Sequence, residues 1–275
     1  MHRLSSITTW FARLVLGVAL LLAGCGSGDD ADSGGSAVQI EVGERSPAFD
    51  GAMARFTAPA DTVVVDSASV DVTVAVENYE LGVQTDTDRA QQLANSANGQ
   101  HVHIIVDNKP YFANYEADTP FSIGTLAPGA HSAVVFPSRS YHESVKSADA
   151  HDVVNFYVGE ETGTFPFDPA QPTIIYSRPK GTYAGAGAER IMLDFYLHNV
   201  SLSEGGYTAK YEIREQGADD VLASITLTEW TPAFVTGLTP GTYVVHLQLL
   251  DADGTVVPGT FNDTEREITV EGPAA

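Results

Sequence analysis

Leu126-Ala127-Pro128-Gly129-Ala130-His131 and Leu238-Thr239-Pro240-Gly241-Thr242-Tyr243 are one turn written twice. Each runs into an apolar stretch, residues 132–136 after the first and 243–250 after the second. A Leu-x-Pro-Gly turn feeding a late strand belongs at the corner of immunoglobulin-like and fibronectin-like sandwiches. From position 126 to position 238 is 112 residues, about one sandwich domain.

Working outward, the apolar pattern on both sides of these turns is that of strands. Alternating or β-branched runs fall at 62–66, 70–76, 101–107, 110–114, 132–136 and 153–158. A second set falls at 173–176, 191–198, 207–213, 221–227, 243–250 and 266–270. Turn pairs separate them: Asp107-Asn108, Pro128-Gly129, Gly205-Gly206, Pro240-Gly241 and Asp253-Gly254. No long stretch carries a 3.6-residue apolar period. Residues 86–97 (DTDRAQQLANSA) are the candidate for a short helix or long loop. The expected fold is all-β, with two tandem immunoglobulin/fibronectin-III-like β-sandwiches at 55–162 and 173–272. The segment 163–172, which contains FPFDPAQP, is expected to link them.

Ahead of the sandwiches the sequence has a different character. Arg3 and Arg13 open a charged start without acidic residues, and an apolar run follows at 14–22. That run is far shorter than the roughly 20 residues needed to span a bilayer. It ends in Leu22-Ala23-Gly24-Cys25, which reads as a secretory signal at 1–24 with a bacterial lipobox. Cys25 is then the expected lipidation site. Several acyl chains on one residue give a stable anchor, each buried CH₂ contributing about 0.8 kcal/mol. The alternative is an ordinary signal peptide. Residue 26 is Gly and not the Asp that holds lipoproteins at the inner membrane of Gram-negative cells, which favours the outer membrane. Residues 25–54, beginning CGSGDDADSGGS, are expected to be a flexible acidic tether.

The chain has 14 basic and 36 acidic side chains, a formal charge of −22. Loss of 1–24 removes two arginines and no acid, so the mature charge is −24. Such a surface repels nucleic acid, which is excluded as a partner. High acid content with only four lysines suits a salt-rich habitat, where screening removes self-repulsion. Cys25 is the sole cysteine, so no disulfide forms within the chain and core packing must hold the fold.

The residues with chemistry in them are mostly histidines. His101 and His103 sit two apart on one expected strand, so their side chains share a face. His131, His142 and His151 follow, and His142 is the expected third ligand of a copper or zinc site, since neutral imidazole suits both metals. Structural hydrogen bonding at a sheet face is the competing account. Ser138, Arg139 and His142, within SRSYHE (138–143), are a second candidate, for an anionic ligand. The competing account there is a self-satisfied loop with Arg139 paired to Glu143. Trp230, Pro232 and Phe234 are either an aromatic binding patch or core. Asp251-Ala252-Asp253-Gly254 begins like a calcium loop but lacks its later ligands and reads as a turn. No Gly-x-Ser-x-Gly, phosphate loop or His-Glu-x-x-His occurs, and no catalytic residue is assigned.

The stretches GQHVHIIVDNKPY (99–111), FPSRSYHESVK (136–146), IMLDFYLHNVSLSEGGY (191–207) and LTEWTPAFVTGL (227–238) resemble a family of two-domain lipoproteins from Bacteroidetes-like bacteria. Its members are labelled phosphopeptide-binding proteins. That label implies a forkhead-associated sandwich, whose Ser-Arg-x-His stretch binds phosphothreonine. Here Ser138-Arg139-Ser140-Tyr141-His142 is one residue longer than that motif.

Three functional expectations follow. The first is an exported, lipid-anchored, non-enzymatic binding or interaction protein of the cell envelope, with the membrane and an envelope protein as partners and no required cofactor. The second is a histidine-based copper or zinc protein. The third is a carbohydrate-active or hydrolase accessory module using the Trp230 region.

Overall fold

The computed structural model describes residues 37–272. The signal sequence, Cys25 and the start of the tether lie outside the described residues. The described chain falls within one compact unit, Gly35–Ala275.

The strands run in the order β1 (Gln39–Val42), β2 (Met53–Ala58), β3 (Val64–Val65), β4 (Ser69–Glu77), β5 (His101–Val106), β6 (Phe112–Asn114), β7 (Phe121–Thr125), β8 (Gly129–Ser138) and β9 (Asp152–Val158). They continue as β10 (Thr173–Arg178), β11 (Gly181–Tyr183), β12 (Arg190–His198), β13 (Thr208–Glu215), β14 (Val221–Leu227), β15 (Ala233–Thr236), β16 (Gly241–Leu250) and β17 (Asp263–Val270). Two single-turn helices, α1 (Arg89–Gln92) and α2 (Ala186–Glu189), interrupt them. Sheets β2-β4-β7 and β3-β9-β8-β5-β6 make the first sandwich. Sheets β1-β15-β12-β10 and β11-β17-β16-β13-β14 make the second. The architecture is all-β, two immunoglobulin-like sandwiches in tandem.

Both Leu-x-Pro-Gly turns do the same work. β8 starts at Gly129 and β16 at Gly241, and each is the ten-residue strand in the middle of its five-stranded sheet. Tyr243 closes the second corner, its hydroxyl donating to the Thr239 carbonyl at 2.8 Å. His131 occupies the matching place in the first, its Nε2 lying 2.7 Å from the Ala127 carbonyl. In each corner a ring reaches back four residues to a carbonyl, as the corner tyrosine of such sandwiches does.

The two-residue period explains which faces are buried. In β4, Val70, Val72 and Val74 point into the first core while Asp71 faces water. In β5 all six residues are buried. Val102, Ile104 and Val106 enter the first core, and Ile105 packs with residues of the second sandwich. His101 and His103 share the Ile105 face by alternation. β8 behaves likewise, with Ala133 and Val135 inward and Val134 and Phe136 toward the second sandwich.

The layer between the sandwiches is therefore a third core. Ile105, Tyr111, Val134 and Phe136 meet Ile175, Tyr196 and Phe261, and Phe167 of the linking segment inserts among them. Phe136 stacks on Tyr196 with centroids 4.7 Å apart, a pairing worth about 0.5–1.5 kcal/mol beyond area burial. Lys146 pairs with Asp194 across this junction, both side chains buried, and the Ser144 amide donates to the same carboxylate at 3.0 Å.

One expectation changes. The segment 25–54 is not tether throughout: Gln39–Val42 forms β1, antiparallel to β15, and Val38 and Ile40 pack on the second core. Only two apolar side chains mark it, and they find a partner nearly two hundred residues away. In 86–97, helix is confined to the four residues of α1, and the rest is loop.

Candidate metal centre

β5 carries His101 and His103 into the junction, and the turn after β8 carries His142 to meet them. That turn is tight. The Arg139 amide donates to the Glu143 carbonyl at 2.9 Å and the His142 amide to the Arg139 carbonyl at 2.8 Å. His142 itself has φ +69°, a left-handed conformation costly for a residue with a Cβ. The loop before β5 braces the turn: the Ser96 amide donates to the Ser140 carbonyl at 2.8 Å, and the Ser140 amide to Thr85 Oγ1 at 3.0 Å.

The three imidazoles converge. His101 Nε2 lies 3.0 Å from His103 Nε2 and 3.1 Å from His142 Nδ1. One nitrogen from each ring lies within 4.8 Å of the other two, and the group contains no carboxylate or thiolate. Three nitrogens about 2.0 Å from one ion would stand roughly 3.3–3.5 Å apart, so the two short separations must open slightly and the wider one close by about an ångström.

The outer nitrogen of His101 fixes its tautomer. His101 Nδ1 donates to the Gly99 carbonyl at 2.9 Å, which leaves Nε2 of the neutral ring bare. His103 Nδ1 meets Ser177 Oγ of the second sandwich at 3.1 Å. Two neighbouring nitrogens thus crowd the single lone pair of His101 Nε2. With His103 and His142 also turning a bare nitrogen inward, one cation would satisfy three lone pairs at once, and backbone carbonyl or hydroxyl partners on the far side of the rings are the usual means of orienting metal-bound histidines.

The surroundings keep the rings neutral. His101 and His103 are fully buried. Burial pushes His101 down to about 4, the nearby Arg178 and Lys180 adding to the effect against the opposing Gly99 bond. His103 is driven far below the usual imidazole range, by burial first and then by its histidine neighbours and Arg178. His142 moves the same way, by burial and then Arg178. Tyr111 stacks on His103 with centroids 3.5 Å apart and places its hydroxyl 3.3 Å from His142 Nδ1. Lys180 Nζ sits 4.0 Å from the Tyr111 ring centroid.

No protein-family model and no curated protein matches the chain. Among solved structures it is similar to the fibronectin(III)-like modules of CbhA from Clostridium thermocellum, at 13% identity and TM-score 0.26, covering 80% of this chain and 94% of that one. Dimeric latent PorU from Porphyromonas gingivalis is similar at 12% identity and TM-score 0.26, over 90% of this chain and 22% of that one. A tetra-tandem repeat from the extending region of a large adhesion protein is similar at 13% identity and TM-score 0.25, over 80% and 49%. The chain thus spans about a fifth of the PorU chain and about half of the adhesion-protein chain. The fold rests on the strand order above and not on these likenesses, which carry nothing to the histidines.

The anion site expected at Ser138, Arg139 and His142 is not assembled. Ser138 is fully buried and its hydroxyl turns to the Arg139 carbonyl at 3.4 Å. The Arg139 guanidinium leaves the turn on the other side, bonded to the Pro47 carbonyl and lying 4.8 Å from the Phe49 ring centroid. His142 turns to His101. Alternation of side chains along an extended segment separates neighbours in sequence, and the tight turn adds to the divergence. The expected Arg139–Glu143 ion pair is replaced as well, Glu143 pairing with Arg89 at 3.1 Å.

Of the remaining candidates, His131, Phe234 and Asp251 serve the structure, and Trp230 is half-buried at the edge of a cavity. His131 is held by Asp107 Oδ2 at 2.5 Å besides its corner carbonyl. Trp230 donates from Nε1 to the Phe195 carbonyl at 3.0 Å and meets Tyr196 edge-on, and Phe234 is buried. The Asp251 carboxylate accepts from the Asp253 and Thr255 amides, closing a turn. No motif in the sequence marks Ser177, Arg178 or Lys180. They reach the site only because the second sandwich docks on the first.

Proposed function

We propose that this protein is a metal-binding protein of the cell envelope that holds copper(I) through His101, His103 and His142. The convergence of three neutral imidazole nitrogens in a buried junction supports the reading. Copper(I) is preferred over zinc on charge. The ligand set is neutral, and Arg178 and Lys180 lie close enough to depress the histidines, so the ion of lower charge is penalised less. Binding and not catalysis is proposed, since the rings are enclosed and the sequence offers no nucleophile motif beside them. This takes up the second of the three expectations.

The lipobox adds the place. Cys25 is proposed to carry the lipid that tethers the protein to the membrane, the outer one in a Gram-negative cell. Among the described residues no helix is long and apolar enough to cross a membrane. Palmitate incorporation that persists after Cys25→Ser would overturn this part.

The metal reading is tested by anaerobic titration of the full chain with copper(I), and separately with zinc, against a chromogenic chelator. Loss of one equivalent of copper(I) in His101→Ala/His103→Ala is expected, with zinc held far more weakly. Equal copper binding by the wild type and the double variant would sink it, and preferential zinc binding would overturn the choice of ion.

A further inference from the structure

Another pair of histidines lies at the junction, away from the trio in sequence and with its own partners. His151 immediately precedes β9 of the first sandwich, and His198 ends β12 of the second. His151 Nδ1 donates to the Ala148 carbonyl at 3.0 Å. His198 Nε2 donates to the Pro169 carbonyl at 2.9 Å. A carbonyl can only accept, so each neutral ring has its proton on the nitrogen that faces the backbone. The other two nitrogens, His151 Nε2 and His198 Nδ1, then carry bare lone pairs, and they face each other at 2.6 Å.

Two lone pairs at that distance repel. Something electron-accepting belongs between them, a proton or a metal ion. No carboxylate is among the hydrogen-bond partners of either ring within the described residues. The rings are set by aromatic neighbours, His151 against Tyr196 at 4.9 Å and His198 against Phe167 at 5.0 Å between centroids.

Unlike the trio, this pair opens on solvent. Both rings line a cavity of about 970 Å³ shared with Asp149, Asn199 and Trp230. An ion with bonds of about 2.0 Å to both nitrogens needs them roughly 3.3–4 Å apart. They must part by about an ångström, which the open side allows.

We propose that His151 and His198 form a second, solvent-facing metal site, which takes copper(I) in two-coordinate fashion between the sandwiches. Zinc fits it poorly, since that ion takes four ligands and only two are offered. Copper(I), bound well by imidazole, is satisfied by two. The bound ion joins one residue of each sandwich and is exchangeable from the cavity, where the trio is enclosed. The proposal rests on different residues from the trio and stands or falls separately.

The test is anaerobic copper(I) titration of the full chain, of His198→Gln and of His101→Ala/His103→Ala, with circular dichroism on each to show that it is folded. Glutamine keeps a donor for the Pro169 carbonyl but removes the paired lone pair. Two equivalents in the wild type, one in His198→Gln and one in the double variant are expected. X-ray absorption of the double variant should show about two nitrogen ligands. One equivalent in the wild type, unchanged in His198→Gln, overturns the second site and leaves the trio. One equivalent lost in His198→Gln and kept in the double variant supports the pair and overturns the trio. No binding by any form overturns both.

Discussion

Acid should weaken the metal-free fold through His101, and the size of the effect follows from its burial. The folded protein holds this ring near 4 where an exposed imidazole has 6.5. The unfolded chain therefore takes up a proton on acidification that the folded chain refuses. The stability in question is complete above pH 6.5 and is lost as pH falls toward 4. At about pH 4.5 the unfolded ring is almost fully protonated and the folded one roughly a quarter, which amounts to about 2.5 kcal/mol relative to neutral pH. His103 and His142 shift in the same direction, so the total loss is larger and only a difference isolates His101. The comparison is urea unfolding of wild type and His101→Gln, metal-free, at neutral pH and at about pH 4.5. Glutamine cannot take the proton. The stability advantage of wild type over variant should shrink by about 2.5 kcal/mol on acidification. The same advantage at both pH values would refute a buried, neutral His101. The same neutrality means that copper(I) should remain bound well below pH 6.5, where exposed histidine sites have already lost it to protons.

Two substitutions test the frame around the trio. Gly99 has φ +84°, and a Cβ there would stand 2.4 Å from the Val83 carbonyl oxygen. Gly99→Ala should cost about 1–3 kcal/mol of stability, and by moving the carbonyl that holds His101 it should weaken copper(I) binding by about tenfold or more, the usual loss when such an orienting partner is disturbed. Chelator competition reads the second effect and urea unfolding the first. Asp194→Ala leaves Lys146 buried without its counter-charge, which should destabilise the protein by about 3–5 kcal/mol, measured by the same unfolding assay.

The fold was legible where a strand has one wet face or a long apolar run. β4 shows its alternation openly, and β14 coincides with the stretch read from sequence, Val221–Leu227. The repeated Pro-Gly turns placed the central strands β8 and β16 because the geometry of the corner is local. Several short pieces were not legible, although β3 and β6 fall within the runs read at 62–66 and 110–114. β1, β7, β11 and β15 have three to five residues each, and such strands owe their existence to a neighbour's free edge more than to their own pattern. β1 is the plainest case, since QIEV follows a Gly-Ser-Asp stretch and is ordered by pairing with β15 and by the packing of Ile40 on the second core.

The site was half legible for the same reason. Alternation alone puts His101 and His103 on one face, and that inference needs nothing beyond the strand period. The choice of His142 as third ligand over His131 and His151 had no local warrant. It depends on a left-handed turn that swings His142 back over β5 while Arg139, three residues earlier, goes the other way. His131 shows why residue type misleads here: its place is that of a corner tyrosine, as the matching position of Tyr243 shows only once both side chains are seen reaching back to a carbonyl. His198, Ser177 and Lys180 belong to another domain altogether. A sequence reading that treats sandwiches as separate beads assigns them to separate surfaces. The continuous apolar character of β5 and β8, buried on both faces, was the available sign that the beads are fused. A strand at the free face of a lone sandwich would carry polar residues at every second position, and HVHIIV carries histidines there instead, the residues that can be buried neutral and still bind an ion.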